Sequence, residues 1–204
     1  MRSLLAPTIA TLLLATGCNQ PTAPAAADPA QPPAMAQVPP PEMDGHDGQA
    51  ENPVLAVAEL HPTEGSAVSG RLHVARVDGG LKVMGEITGL AAGKAHGFHI
   101  HENGDCSAPD GSSAGGHFNP DASAHGRVDA GAHHGGDMPN VQADAQGVAL
   151  VDGPLSSRVT VGDGSATDII GRGLIVHADP DDYVSQPTGN AGGRLACAVI
   201  SAAP

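Results

Sequence analysis

The sequence predicts an all-β domain, a sandwich or barrel of short strands. Twenty-eight glycines and eighteen prolines among 204 residues demand many turns and leave little room for helix. No long stretch keeps an apolar period near 3.6. Short apolar or alternating runs recur instead between turn-forming residues, as in packed or closed antiparallel sheets. The clearest run is Leu81–Thr88, where Leu81, Val83 and Ile87 fall on one side and Lys82, Glu86 and Thr88 on the other. That alternation marks a half-buried strand. Asp78-Gly79-Gly80 before it is a hairpin signal, which makes Arg71–Val77 the partner strand. Further strand candidates are Val54–Leu60, Gly97–His101, Val148–Val151, Val159–Val161, Gly173–His177 and Ala196–Ile200. With only Phe98, Phe118 and Tyr183 as aromatics, the core must rest on Val, Ile, Leu and Ala. Glu102–Asn140 and Ala178–Arg194 break the rhythm as two long irregular loops, and loops of that length in a compact domain are usually functional.

The folded domain is expected over residues 53–204, preceded by two segments of other character. Residues 1–18 read as an export leader: Arg2, a mostly apolar stretch from Leu4 to Ala15, then Leu14-Ala15-Thr16-Gly17-Cys18. The small residue before Cys18 resembles a lipoprotein cleavage box, although the leucine stands one place further from the cysteine than usual. On that reading Cys18 is lipidated, and Asn19 after it favours delivery to the outer membrane. The other reading is a plain secretory signal with an incidental cysteine. Residues 19–52 are Pro- and Ala-rich and cannot bury enough surface to offset ordering entropy, so they are expected to be a disordered tether. His46 falls there between Asp44 and Asp47 as a solvated side chain. The expected location is the cell envelope: the periplasm, with the membrane reached only through a lipid anchor. A formal charge of −13 argues against a nucleic-acid partner, which calls for a basic patch.

Six of the eleven histidines form an ordered series with one aspartate: His99, His101, His117, His125, His134 with Asp137 three residues on, and His177. Imidazole is a common ligand for copper and zinc, and carboxylate also suits zinc. His99 and His101 are two apart on a predicted strand and so share a face. His177 closes another strand, and the remainder sit on the long loop. The series calls for a site with two metals. Residues 133 and 134 are both His; the His-x-x-Asp spacing selects His134, but His133 could substitute.

These residues carry a resemblance. Gly97-Phe98-His99-Ile100-His101-Glu102, Gly116-His117-Phe118-Asn119-Pro120, His134-Gly135-Gly136-Asp137, Gly171-Arg172-Gly173-Leu174-Ile175-Val176-His177 and Gly189-Asn190-Ala191-Gly192-Gly193-Arg194-Leu195-Ala196-Cys197 resemble copper/zinc superoxide dismutases over roughly Val54 to Ser201. Asp179-Pro180-Asp181-Asp182-Tyr183 looks like the bacterial branch. The resemblance implies a Greek-key antiparallel eight-stranded β-barrel or sandwich, and dismutation of superoxide to oxygen and hydrogen peroxide. It implies one copper ion on His99, His101, His117 and His177, and one zinc ion on His117, His125, His134 and Asp137. His117 would bridge the two metals, and Arg194 would stand at the copper mouth to attract superoxide. Asp181 would join a copper-side and a zinc-side histidine, and Cys106 and Cys197 would pair as a disulfide. The segment from Ala178 to Gly193 holds no Lys or Arg, so any further steering must come from elsewhere, with Lys94, Arg127 and Arg172 as candidates. The competing reading is a non-catalytic copper/zinc-binding protein of the same fold. The sequence leaves monomer and homodimer both open.

Overall fold

The computed structural model describes residues 52–204. Cys18, the leader, His46 and the Pro/Ala-rich stretch before Asn52 lie outside the described residues.

Ten strands account for all the regular structure there except one 3-10 turn at Ser112–Ala114. They are β1 (Val54–Pro62), β2 (Ser69–Val77), β3 (Gly80–Thr88), β4 (Ala95–His96), β5 (Phe98–His101), β6 (Val141–Gln142), β7 (Ala149–Pro154), β8 (Gly173–His177), β9 (Arg194–Val199) and β10 (Ser201–Ala202). An eight-stranded antiparallel sheet runs β5-β8-β9-β1-β2-β3-β7, with β10 on β1. Neighbours such as β9 and β1, or β3 and β7, are remote in sequence, the hallmark of Greek-key connections. β4 pairs with β6 as a separate ribbon. Because β4 leads into β5 and β6 lies against β7, this ribbon spans the seam between the sheet's two ends.

The β2–β3 hairpin turns where its sequence says. Asp78 and Gly79 both have positive φ, and Val77 pairs with Gly80. That is the primed two-residue turn that matches strand twist. In β3, Leu81, Val83 and Ile87 are buried. The core is aliphatic, with Leu60, Leu72, Ile87, Ile100, Ile169 and Ile175 fully buried and only Phe98 and Phe118 as aromatics.

One expected strand is absent. Val159–Val161 forms no strand; only an isolated parallel bridge joins Thr160 to Asp168. The Asp168 carboxylate takes the N–H groups of Gly162, Gly164 and Ile170, and so holds the chain in a compact loop instead. Conversely β4, β6 and β10 are two residues each, too short to show a period. The long segment after β5 contains no strand beyond isolated bridges, but two of these bridges matter: His99 to Asp137 and His101 to His117.

Candidate metal centre

The site grows from β5 outward. Phe118 donates its N–H to the Ile100 carbonyl, Ile100 to Gly136, and Gly136 to Phe118. The loop is thereby zipped onto β5, and His117 and Asp137 come to lie beside His101 and His99. Gly136 is needed at this seam, since a Cβ there would collide with the Ile100 carbonyl. β8 pairs with β5 and delivers His177 at its end. Across the next strand, Arg194 is the register partner of His177.

The side chains form two groups that share one member: His99, His101, His117 and His177; and His117, His125, His134 and Asp137. In each group one ligand atom per residue lies within 4.8 Å of the others, and every member is buried.

The second group converges on a single oxygen. Asp137 Oδ1 is 2.8 Å from His117 Nδ1, 3.0 Å from His125 Nδ1 and 3.4 Å from His134 Nδ1. Its other oxygen accepts the N–H groups of Gly126 and His134. Burial would raise the Asp137 pKa, but hydrogen bonds from the three histidines hold it well below the usual carboxylate range. Burial would likewise discharge His125, yet its bonds to Asp137 and Asp181 win and raise it to about 9. Three imidazole nitrogens and a carboxylate oxygen converging among buried side chains suit a cation. Three imidazoles and one carboxylate also match the tetrahedral preference of zinc.

In the first group burial disfavours the charged form of three of the four imidazoles. Burial pushes His177 down to about 3 and His117 to about 4, with Coulombic repulsion from His99 adding to both; His101 is also well below its ordinary value. Each ring has one nitrogen engaged away from the centre: His99 Nε2 with Asp181 at 2.8 Å, His101 Nδ1 with the Gly115 carbonyl at 2.9 Å, His117 Nδ1 with Asp137, and His177 Nδ1 with the Gly192 carbonyl at 3.4 Å. His99 Nδ1 and His117 Nε2 are buried without any partner. His101 Nε2 and His177 Nε2 face each other at 3.3 Å. Unpartnered buried nitrogens cost stability. Their convergence fits a metal that accepts imidazole, as copper does.

Asp181 joins the groups, touching His99 Nε2 at 2.8 Å and His125 Nε2 at 3.0 Å. Gly189 packs against this junction with φ +66; a Cβ there would collide with the Asp181 carboxylate and crowd His125 Nε2. The Arg194 guanidinium donates to the carbonyls of Gly111 and Gly115. Gly115 also receives His101 Nδ1, so the cation stands one carbonyl away from a copper-side histidine. Its charge is among the causes that depress both His101 and His177. Cys106 and Cys197 form a disulfide with Cα atoms 5.8 Å apart, tying the loop that holds Gly111 and Gly115 to the strand that carries Arg194.

Of the two adjacent histidines, only His134 joins the cluster. Both ring nitrogens of His133 are engaged elsewhere, with the Gly131 carbonyl and Ser156 Oγ. Arg172 packs over Phe118 and donates to the Glu102 carbonyl, while Arg127 pairs with Asp129 and lies over Tyr183.

Three supporting residues gave no sequence signal. His96 is buried, with Nδ1 bonded to the His177 carbonyl at 2.8 Å. Gln186 exchanges two hydrogen bonds with the backbone of His125. Asn140 does the same for Asp181.

The fold and the paired histidine clusters define a two-metal β-barrel protein. A family model described as copper/zinc superoxide dismutase (SODC) matches residues 68–200. Superoxide dismutase [Cu-Zn] 2 of Aquifex aeolicus is 40% identical over 148 residues, 71% of this chain and 85% of the relative. Extracellular superoxide dismutase [Cu-Zn] of Brugia pahangi is 40% identical over 156 residues, 72% and 75% of the two chains. Among solved structures, a SOD-like protein from Bacillus subtilis superposes with a TM-score of 0.63 at 36% identity, covering 70% of this chain and 96% of its own. The clock protein EA4 gives 0.63 at 37%, covering 77% and 99%. The chain belongs to the copper/zinc superoxide dismutase family.

Proposed function

We propose that this protein is a superoxide dismutase of the cell envelope. His99, His101, His117 and His177 hold one copper ion, and His117, His125, His134 and Asp137 hold one zinc ion. Bound copper supplies one-electron transfer in both directions and bound zinc, which has no redox chemistry, supplies fixed positive charge; the net reaction takes two superoxide anions and two protons to O₂ and H₂O₂. The observation that carries this reading is His117, a single buried ring with Nδ1 against Asp137 and Nε2 turned, unpartnered, toward the other cluster.

The chain's own residues do the rest. His117 Nε2 can take up a proton and give it up again while Nδ1 stays engaged with Asp137. Asp181 fixes the rings of His99 and His125 from behind and sets which nitrogen of each faces inward. Arg194 offers a fixed positive charge to an anionic substrate on a chain of net charge −13. The disulfide keeps Arg194 and its carbonyl partners in register.

Residues 1–18 are read as the export leader, Cys18 as the lipidated residue, 19–52 as the tether and 53–204 as the enzyme. That arrangement would hold the enzyme in the periplasm on the outer membrane, removing superoxide at the envelope. The leader sequence supports it, as does the existence of an extracellular relative.

His117→Ala tests the bridge. It should keep the fold, uncouple the two metals and sharply reduce turnover. Full activity with an unchanged copper spectrum in this variant would refute the assignment.

A further inference from the structure

Asp181 does not hold itself in place. Asn140 Nδ2 donates to its carbonyl at 2.9 Å, and the Asp181 N–H donates to Asn140 Oδ1 at 2.9 Å. One amide side chain therefore engages both main-chain polar groups of a single residue, as a strand neighbour would. Asn140 in turn donates its own N–H to the Tyr183 hydroxyl at 2.8 Å. Tyr183 returns the contact, because its N–H donates to Asp181 Oδ1. Tyr183 stands there with φ +61, an uncommon value for a bulky residue. The Arg127 guanidinium covers its ring, 5.0 Å from the centroid.

The three segments so joined each carry a residue of the zinc-side cluster or its neighbour. Arg127 follows His125 by two, Asn140 follows Asp137 by three, and Tyr183 follows Asp181 by two. We propose that Asn140 and Tyr183 are positioning residues, a latch that sets the Asp181 carboxylate between His99 and His125 and so retains zinc and orients the copper-side ring of His99. The inference rests on the metal assignment above and adds residues that assignment does not use.

Tyr183 also reports on the latch. It is the sole tyrosine of the chain, and there is no tryptophan. Tyrosine fluorescence of the full-length protein therefore comes from this one phenol.

The test uses full-length protein loaded with copper and zinc and titrated with EDTA, with zinc, the tyrosine signal and the copper EPR spectrum followed together. Outer partners of metal ligands change affinity by about 10–100-fold when removed, and Asn140 acts one step further out. Asn140→Ala should release zinc at about tenfold lower chelator, with an altered copper spectrum and a tyrosine signal already resembling that of the metal-free protein. Tyr183→Phe keeps the ring and the backbone N–H and loses only the hydroxyl; it should release zinc at about threefold lower chelator. If Asn140→Ala does not fold, Tyr183→Phe decides. Arg71→Gln, exposed on β2 and apart from these residues, should match wild type. The melting temperatures of the metal-free proteins separate positioning from general stability: they should differ little between Tyr183→Phe and wild type. Zinc retention and copper spectra like wild type in the variants overturn the latch. Wild-type protein that takes up no zinc overturns the metal assignment itself, and the latch with it.

Discussion

Reversing the charge at Arg194 gives the sharpest view of how substrate reaches the site. Arg194 is the cross-strand partner of His177, and its guanidinium shares the Gly115 carbonyl with His101. It therefore stands beside the copper-side ring cluster. At about 6 Å, with an effective dielectric of about 40–80, a unit charge attracts superoxide by about 0.7–1.4 kcal/mol. Removing the charge should then slow encounter about 3–10-fold, and Arg194→Glu about 10–100-fold, since tenfold is about 1.4 kcal/mol. Arg194→Lys separates charge from structure: it keeps the cation but gives up the fork that grips Gly111 and Gly115. It should retain most of the rate. The assay is superoxide decay after pulse radiolysis, at ionic strengths from about 0.01 to 0.15 M, where the screening length falls from about 30 to 8 Å. Salt should slow the wild type and should not slow Arg194→Glu. Equal rates and equal salt dependence in wild type and Arg194→Glu would show that the residue does not guide substrate.

Two further outcomes follow from the fold. The Cys106–Cys197 link closes a span of 91 residues, which stabilises by about 4–5 kcal/mol in the chain-entropy model. Reduction should lower the melting temperature by about 10–15 °C, read by calorimetry with and without reductant; a shift under 3 °C would contradict this. Asp168 accepts three backbone N–H groups, which outweigh burial and hold its pKa below the usual value. Its stabilisation is present above the unfolded carboxylate pKa and is lost as pH falls through the lower folded value. Asp168→Asn should cost about 2 kcal/mol at pH 7, and the difference in melting temperature from wild type should close in acid; a constant difference down to pH 2 would argue against it.

Much of this was legible in the chain. Alternation at period two located β3, and the Asp-Gly turn fixed the hairpin, because both signals are local. The ligand series was visible because strand geometry forces His99 and His101 to one face. Val159-Thr160-Val161 misled, since three residues cannot show whether a nearby carboxylate will claim the backbone; Asp168 did. The His-x-x-Asp spacing selected His134 but left His133 able to substitute; packing settles the choice, with Ser156 engaging His133. Asn140, Gln186 and His96 were silent because their partners lie 41, 61 and 81 residues away. A single amide or imidazole carries no local pattern that announces such a contact.

A redox-active copper and a zinc joined through His117 are the core of the proposed enzyme. Elemental analysis and superoxide dismutation rate, measured on one sample of purified full-length protein, decide whether both metals are present and active. One copper and one zinc per chain are expected, with catalytic turnover that disappears when copper is withdrawn and returns on its re-addition. Stoichiometric metal with no turnover would contradict this and leave a metal-binding protein on the same fold.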